Sequence, residues 1–125
     1  MRVAIYGRVF NATDAKYLQN LFDLLAKRNI EVIVFGDFYS QLAKQIKFKK
    51  PLGTFQQESN LKNQVDYVFS IGGDGTLLDT VTMVRNSGIP ILGINIGRLG
   101  FLASICKENI ETALISLENG THALD

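Results

Sequence analysis

One short stretch of the sequence combines three glycines with a carboxylate and a hydroxyl. Gly72-Gly73-Asp74-Gly75-Thr76 follows an apolar run at residues 67–71 and precedes an amphipathic run at residues 77–84. Glycine tolerates positive φ and lets another molecule approach without a Cβ in the way. Consecutive backbone N–H groups next to a helix N-terminus favour an anion. We therefore expect a phosphorylated ligand at this turn, with Asp74 as a general base or a metal-holding carboxylate beside it.

Each of these polar residues also has a plainer interpretation. Asp74 could accept hydrogen bonds from the amides of its own turn. Thr76 and Asp79 have the spacing of a capping box, which predicts that they cap the following helix. Arg8 could contact a phosphate or form a surface ion pair, and Arg98 could contact a phosphate or another subunit.

The apolar patterns predict an alternation of strands and helices. Strands are expected at residues 2–6, 31–35, 67–71 and 91–94, and helices at 13–28, 76–87 and 107–118. In the first helix the apolar residues recur at the helical period, which predicts that they form its buried face: Leu18, Leu21, Phe22 and Leu25. Thr13 or Asp14 can cap its start, and Asn29 can adopt the left-handed turn at its end.

The spacing of strand, helix and strand indicates a parallel sheet with right-handed crossovers. We therefore predict an α/β fold, doubly wound and mainly parallel, with helices on both faces. Ligands bind such sheets at the carboxyl ends of the strands. The segments there are Gly7-Arg8, Gly36, Gly72–Thr76 and Asn95–Gly100, and three of these four are rich in glycine or charged.

Residues 37–64 give the weakest signal. Phe38, Tyr39, Leu42 and Ile46 could form one short helical face. Nearby lysines make a basic cluster, either a solvated surface or a flap that meets a nucleotide phosphate: Lys44, Lys47, Lys49 and Lys50.

Composition limits the functional classes. At 125 residues and 46% hydrophobic content, residues 1–125 should form one folded domain. A net charge of +1 gives no reason to expect nucleic acid or an acidic membrane as a partner. One cysteine and one histidine make a zinc site within this chain improbable. The lone cysteine, the absence of a membrane-length apolar run and the absence of a signal-peptide pattern lead us to expect a cytoplasmic protein.

Two segments resemble the NAD kinase family. Gly72-Gly73-Asp74-Gly75-Thr76 is similar to the motif that NAD kinases share with diacylglycerol and sphingosine-type lipid kinases. The segment from Gly93 to Phe101-Leu102 resembles the G-x-N-x-G-x-L-G-F-L stretch typical of NAD kinases, which lipid kinases lack. The resemblance is strong over about residues 66–104.

The resemblance implies transfer of the γ-phosphoryl group of ATP, with Mg²⁺ as the expected divalent ion, to the 2′-hydroxyl of the adenosine ribose of NAD. Carried over by position, Asp74 would be the base. Gly75 and Leu78 would line the NAD site, and Phe101 would pack on the adenine side. The residues expected at the nucleotide sites are Gly72, Gly73, Gly75, Thr76, Leu78, Asn95, Phe101, Arg8 and Arg98.

The chain departs from the family at Asp79, where many members carry Arg or Lys, and in length. The family pattern continues into a β-rich C-terminal domain, which we expect as a partner absent from this chain. We therefore predict that this chain folds but has little or no activity alone, and that the full-length protein is a homo-oligomer. The alternatives are a lipid kinase of the same superfamily and a non-catalytic nucleotide-binding module.

Overall fold

The structure is a computed structural model, and it describes residues 1–8, 10, 12–56, 61, 64–84, 87–95, 105–106 and 110–118, with only the backbone at 13, 74, 95, 105 and 106. The strands are β1 (Arg2–Gly7), β2 (Glu31–Phe35), β3 (Gly53–Phe55), β4 (Tyr67–Gly72), β5 (Ile91–Asn95) and β6 (Ile105–Cys106). The helices are α1 (Ala15–Lys27), α2 (Gly36–Leu42), α3 (Asp74–Val84) and α4 (Ile110–Glu118), and a 3-10 turn at Ala12–Asp14 precedes α1.

The described strands form a single parallel sheet in the order β3-β2-β1-β4-β5-β6. This order confirms the predicted doubly wound α/β fold. The sequence predicted four of these strands and missed β3 and β6. With three and two residues respectively, these strands are too short to give a periodic signal.

The two faces of the sheet carry different helices. α1, α2 and α4 pack on one face against inward-pointing residues of β1, β2, β4 and β5: Val3, Ile5, Val32, Val34, Phe69, Ile71, Leu92 and Ile94. α3 covers the other face, where Val84 belongs to a smaller cluster with Ala4 and Val68. Because both faces are buried, the central strands are apolar runs that do not alternate, interrupted in β4 by the buried Ser70.

Helix α1 follows its sequence pattern closely. All four residues of the predicted apolar face are at least 96% buried. The helix ends as expected, since Asn29 has a φ of 57°. The Asn29 N–H donates to the carbonyl of Ala26, and the Ile30 N–H donates to that of Leu25, which is the Schellman arrangement. Asp14 occupies the N-cap position, although its side chain makes no capping hydrogen bond.

Helix α3 contradicts the predicted burial. In the amphipathic run at residues 77–84, Leu77, Val81 and Val84 share one helical face, which predicts that they are buried, but Val81 is 45% exposed. The sheet-facing positions are instead Thr76, Thr80 and Val84. The prediction was wrong because it counted apolar side chains alone, and two threonines can be buried when their hydroxyl groups find partners.

The segment after β2 contains the short helical face that the sequence suggested. Phe38, Leu42 and Ile46 are at least 96% buried, and Tyr39 packs partly against the same core. All four lysines of the basic cluster are exposed, as the solvated interpretation predicted. The flap interpretation, which needs a bound nucleotide, stays a prediction.

Helix α4 is held against the α1 face of the sheet by Ile110, Leu114 and Leu117. At its last residue, Glu118 forms an ion pair with Arg28, just beyond α1. The hydrogen bond to Glu118 raises the pKa of the Arg28 guanidinium above its usual value. Within the described ranges, none of the helices is long and apolar enough to cross a membrane.

Candidate functional site

The carboxyl edge of the sheet contains the point where the strand order reverses. β1 and β4 are neighbours, and the helices that follow them, α1 and α3, leave to opposite faces of the sheet. In doubly wound folds a crevice opens at this position and receives the ligand. Arg8 follows β1 here, and Gly73 follows β4.

Gly72 is required by the fold itself. Its φ is +149°, a backbone conformation that residues with a Cβ rarely adopt. A Cβ at this position would lie 2.6 Å from Oγ1 of Thr76. The turn from β4 into α3 therefore needs a glycine at Gly72 whether or not a ligand is bound.

Gly73 and Gly75 have no such internal requirement. A Cβ built on either one meets no atom of the described residues within 4 Å, and neither has a positive φ. Both residues are exposed, and Gly75 lies inside α3, where glycine costs about 1 kcal/mol relative to alanine. The space beside these two glycines lies on the outside of the protein, where a ligand could approach the backbone.

The first turn of α3 supplies backbone donors at this space. The Leu77 N–H donates to the Gly73 carbonyl at 3.1 Å, so Gly73 is the N-cap residue and Asp74 is the first helical residue. The N–H groups of Asp74, Gly75 and Thr76, in the first turn, have no acceptor within the helix. The predicted capping box was wrong, because the helix begins two residues before Thr76.

A buried group of hydroxyls anchors α3 to β4. Oγ1 of Thr80 lies 2.8 Å from Oγ of Ser70 and 2.8 Å from the carbonyl oxygen of Thr76. Thr80 is fully buried, and Ser70 and Thr76 are 2% and 8% exposed. Neither Ser70 nor Thr80 was predicted as part of the site. The four-residue spacing of Thr76, Thr80 and Val84 is the signal that could have found Thr80.

Arg8 and Asp79 form an ion pair that joins the end of β1 to α3 across the switch point. Their side chains are 56% and 37% exposed, so solvent screens the attraction and the pair is worth little stability. The ion-pair interpretation of Arg8 is therefore confirmed, whereas its contact with a phosphate stays a prediction. Asp79 was not predicted as a site residue. Its carboxylate is the group that pairs with the Arg8 guanidinium at the switch point.

The two sequence motifs meet at this edge. Asn95, at the end of β5, is paired in register with Gly72, at the end of β4. Neighbouring strands are about 4.8 Å apart, so the backbones of the two motifs are in contact distance of one another. Arg98 and Phe101 lie outside the described residues, as do the side chains of Asp74 and Asn95.

Two further properties of the site can be stated. Leu78 is 56% exposed on the outer side of α3, so it is available for contact beyond this domain. Among the side chains that the structure describes, no group of three His, Cys, Asp or Glu residues could hold a metal ion.

Comparison with known proteins gives a consistent result. The family model described as the ATP-NAD kinase N-terminal domain matches residues 3–122. The chain is 45% identical over 117 residues to an NAD kinase of Christiangramia forsetii, with 94% of this chain and 40% of that protein covered. It is 41% identical over 114 residues to an NAD kinase of Flavobacterium johnsoniae, covering 91% of this chain and 39% of that protein.

A more distant similarity extends over the whole chain. An NAD kinase of Methanothermobacter thermautotrophicus is 29% identical over 125 residues, which is 41% of its length. A solved structure of a Lactobacillus casei protein covers 99% of this chain and 95% of its own, at a TM-score of 0.49 and 13% identity. The chain thus spans about 40% of the length of the curated relatives that it matches.

Proposed function

The chain belongs to the ATP-NAD kinase N-terminal domain family, and from this premise we propose that the complete protein phosphorylates NAD with ATP to give NADP. The 2′-oxygen of the adenosine ribose forms a bond to the γ-phosphorus of ATP. The bond between that phosphorus and the β,γ-bridging oxygen breaks, and ADP leaves. The proton of the 2′-hydroxyl passes to the Asp74 carboxylate.

The observation that carries this proposal is the pair of unconstrained glycines on either side of Asp74. Neither Gly73 nor Gly75 is required by backbone conformation or by packing, and Gly75 weakens its helix. A ligand that must come close to the backbone gives both positions a reason to lack a Cβ. The free N–H groups of the first turn of α3 stabilise the charge of such a ligand when it carries phosphate.

Phosphoryl transfer demands positioning and electrostatic stabilisation more than covalent chemistry. We assign the positioning to the turn at Gly72, Gly73 and Gly75, to Thr76 and to Asn95. Leu78 and Phe101 contact the dinucleotide, and Arg8 and Arg98 contact phosphates. These assignments rest on the motif resemblance and, for the described residues, on their common position at the carboxyl edge.

A divalent cation would accompany ATP, and Mg²⁺ usually keeps several waters and binds through phosphates with one or two carboxylates. The described side chains provide no three-ligand cluster for it. They therefore do not make a dedicated metal site.

The partners follow from the same family membership. We propose that a C-terminal domain completes the NAD site and that the complete protein assembles as a homo-oligomer. The exposure of Leu78 and Val81, at 56% and 45%, supports a contact on the outer side of α3. We place the protein in the cytoplasm.

The test is NADP formation by the complete protein, measured with a coupled assay on NAD, NADH and a diacylglycerol in parallel. Asp74→Asn should lower kcat by about 10²–10⁴ and leave NAD binding unchanged, since a general base contributes about that factor. Wild-type protein that binds NAD and ATP without forming product would point to a non-catalytic binding module.

The matched control is Asp66→Asn. It makes the same chemical change at the amino edge of the sheet, where an Asn oxygen can still accept the hydrogen bond that the Arg2 N–H donates to Asp66 at 2.9 Å. Turnover of this control should equal that of the wild type. Turnover of Asp74→Asn within a few-fold of the wild type would refute the assignment of the base.

A further inference from the structure

A cavity of about 300 Å³ lies at the edge of the sheet opposite to the glycine turns. Its lining includes the first residues of three strands, Arg2 of β1, Glu31 of β2 and Gly53 of β3. The lining extends along β2 as far as Ile33, two residues before Phe35, so about 7 Å of strand separates it from the carboxyl edge, at about 3.3 Å per residue. The described lining includes no residue of the turn at 72–76. The cavity is therefore separate from the proposed kinase site.

The interior of the cavity is apolar. Phe22, Leu25 and Ile30 close it from the side of α1, and Phe48 and Leu52 close it from the segment before β3. The rings of Phe22 and Phe48 meet edge to face at 5.2 Å between centroids, which gives part of the wall a fixed shape. Such a surface favours an aromatic or aliphatic group over water.

The mouth of the cavity carries positive charge. Nζ of Lys50 is hydrogen-bonded at 2.6 Å to Oδ1 of Asn29, and both residues line the cavity. A neutral amide holds the ammonium in place without neutralising it. Lys49 also lines the mouth, and its nearest carboxylate in an ion pair, that of Asp23, is 3.9 Å away.

The remaining charges at the mouth balance one another. Nη2 of Arg2 lies 2.9 Å from Oε2 of Glu31, and the two residues belong to the same lining. Lys49 is paired with Asp23, whereas Lys50 is held by a neutral amide, so Lys50 carries the charge that sets the sign of the site. Ligand pockets commonly begin at about 300 Å³ and combine apolar walls with a few placed polar groups.

We propose that this cavity binds a small amphipathic anion, an aromatic or aliphatic group that carries one carboxylate or sulfonate. The apolar part fills the space among Phe22, Leu25 and Phe48, and the anion lies against Lys49 and Lys50. The volume equals about ten water molecules at roughly 30 Å³ each, so the ligand is limited to one or two rings or a short chain.

The experiment uses the complete protein and two fluorescent probes of one skeleton. 5-Dimethylamino-1-naphthalenesulfonate has two rings and a sulfonate, and the corresponding sulfonamide is its neutral counterpart. The anionic probe should bind once per chain and more tightly than the neutral one. Ala26→Phe, which places a ring at a position lining the cavity, should weaken binding at least tenfold.

Lys50→Gln tests the charge at an exposed position where folding is not at risk. It should weaken the affinity for the anionic probe by about 1.5- to 5-fold, the range for a solvent-exposed charge pair, and leave the affinity for the neutral probe unchanged. Lys44→Gln, at an exposed lysine outside the lining, is the matched control. It should change the affinity for neither probe.

Saturating NAD and ATP should not displace the anionic probe, since the two sites lie at opposite edges. Displacement by these nucleotides would overturn the proposal, as would equal binding by the wild type and Ala26→Phe. Equal affinity for the two probes would overturn the assignment of an anion. Because the readout is probe fluorescence, failure of the kinase assay would leave this test unaffected.

Discussion

The buried hydroxyl pair between α3 and β4 gives a quantitative prediction. Thr80→Val keeps the shape of a fully buried side chain and removes its hydroxyl. A carbonyl oxygen only accepts, so the Thr80 hydroxyl donates to Thr76, and the proton of the other bond comes from Ser70. The substitution removes both hydrogen bonds and leaves the Ser70 hydroxyl, 2% exposed, without its partner.

The magnitude follows from these contacts. Loss of the bond to the Thr76 carbonyl costs about 1 kcal/mol net, and loss of the other bond leaves the buried Ser70 hydroxyl unsatisfied, which costs about 1–3 kcal/mol. Burial of the additional methyl group of valine offsets about 0.8 kcal/mol of this loss. We expect Thr80→Val to lower the free energy of unfolding by about 1–3 kcal/mol.

Urea unfolding of the 125-residue chain, followed by far-ultraviolet circular dichroism, measures this change. With an m-value of about 1–3 kcal/mol/M, the midpoint should fall by about 1 M. The double variant Ser70→Ala/Thr80→Val removes both partners, so its loss should be at least about 1 kcal/mol smaller than the sum of the two single losses. Additivity within about 0.3 kcal/mol would refute the hydrogen-bonded pair.

Three further changes test other parts of the structure. Gly75→Ala should stabilise the chain by up to about 1 kcal/mol, since alanine is the better helix former. The same change should lower NADP formation by the complete protein, because the added Cβ obstructs the ligand. Unchanged turnover would contradict the proposed close approach of the ligand. Asp79→Asn should release Arg8 and lower the KM for ATP by up to about fivefold, whereas an unchanged KM would remove Arg8 from the phosphate site. Arg28→Gln should lower the urea midpoint only slightly, because its partner Glu118 is partly exposed. The folded-state pKa of Arg28 is raised above its usual value, so its contribution to stability is fully present well below that value. The loss in Arg28→Gln should therefore be the same from pH 6 to pH 9, and a loss that changes across that range would contradict this assignment.

Much of the fold follows from local patterns in the sequence. The strand at Glu31–Phe35 was predicted with its observed bounds, and α1 shows the predicted apolar face and the left-handed Asn29. These elements could be predicted because their signals are local: a continuous apolar run, a 3.6-residue period and a turn residue. β3 and β6 could not, because pairing with a neighbouring strand is what makes such short segments extended.

The failure in α3 has a different physical cause. Val81 is apolar and Thr80 is polar, so periodicity alone buries the wrong position. Thr80 is buried because Ser70 of β4 lies within hydrogen-bonding distance, ten residues earlier in the chain. The capping assignment of Thr76 and Asp79 failed because α3 begins at Asp74, and Asp79 pairs instead with Arg8, which lies just after β1.

The sequence by itself determined the order of β1, β2, β4 and β5 and of α1, α3 and α4 along the chain, the glycine turn around Asp74 and the membership of the family, because these depend on neighbouring residues and on motif spacing. Only the tertiary structure separated Gly72, which the fold requires, from Gly73 and Gly75, which it does not. Only the tertiary structure brought Asn95 beside Gly72 and formed the cavity at the opposite edge. Contacts between residues far apart in the chain decide these features, and no local pattern encodes which distant side chain will be the neighbour.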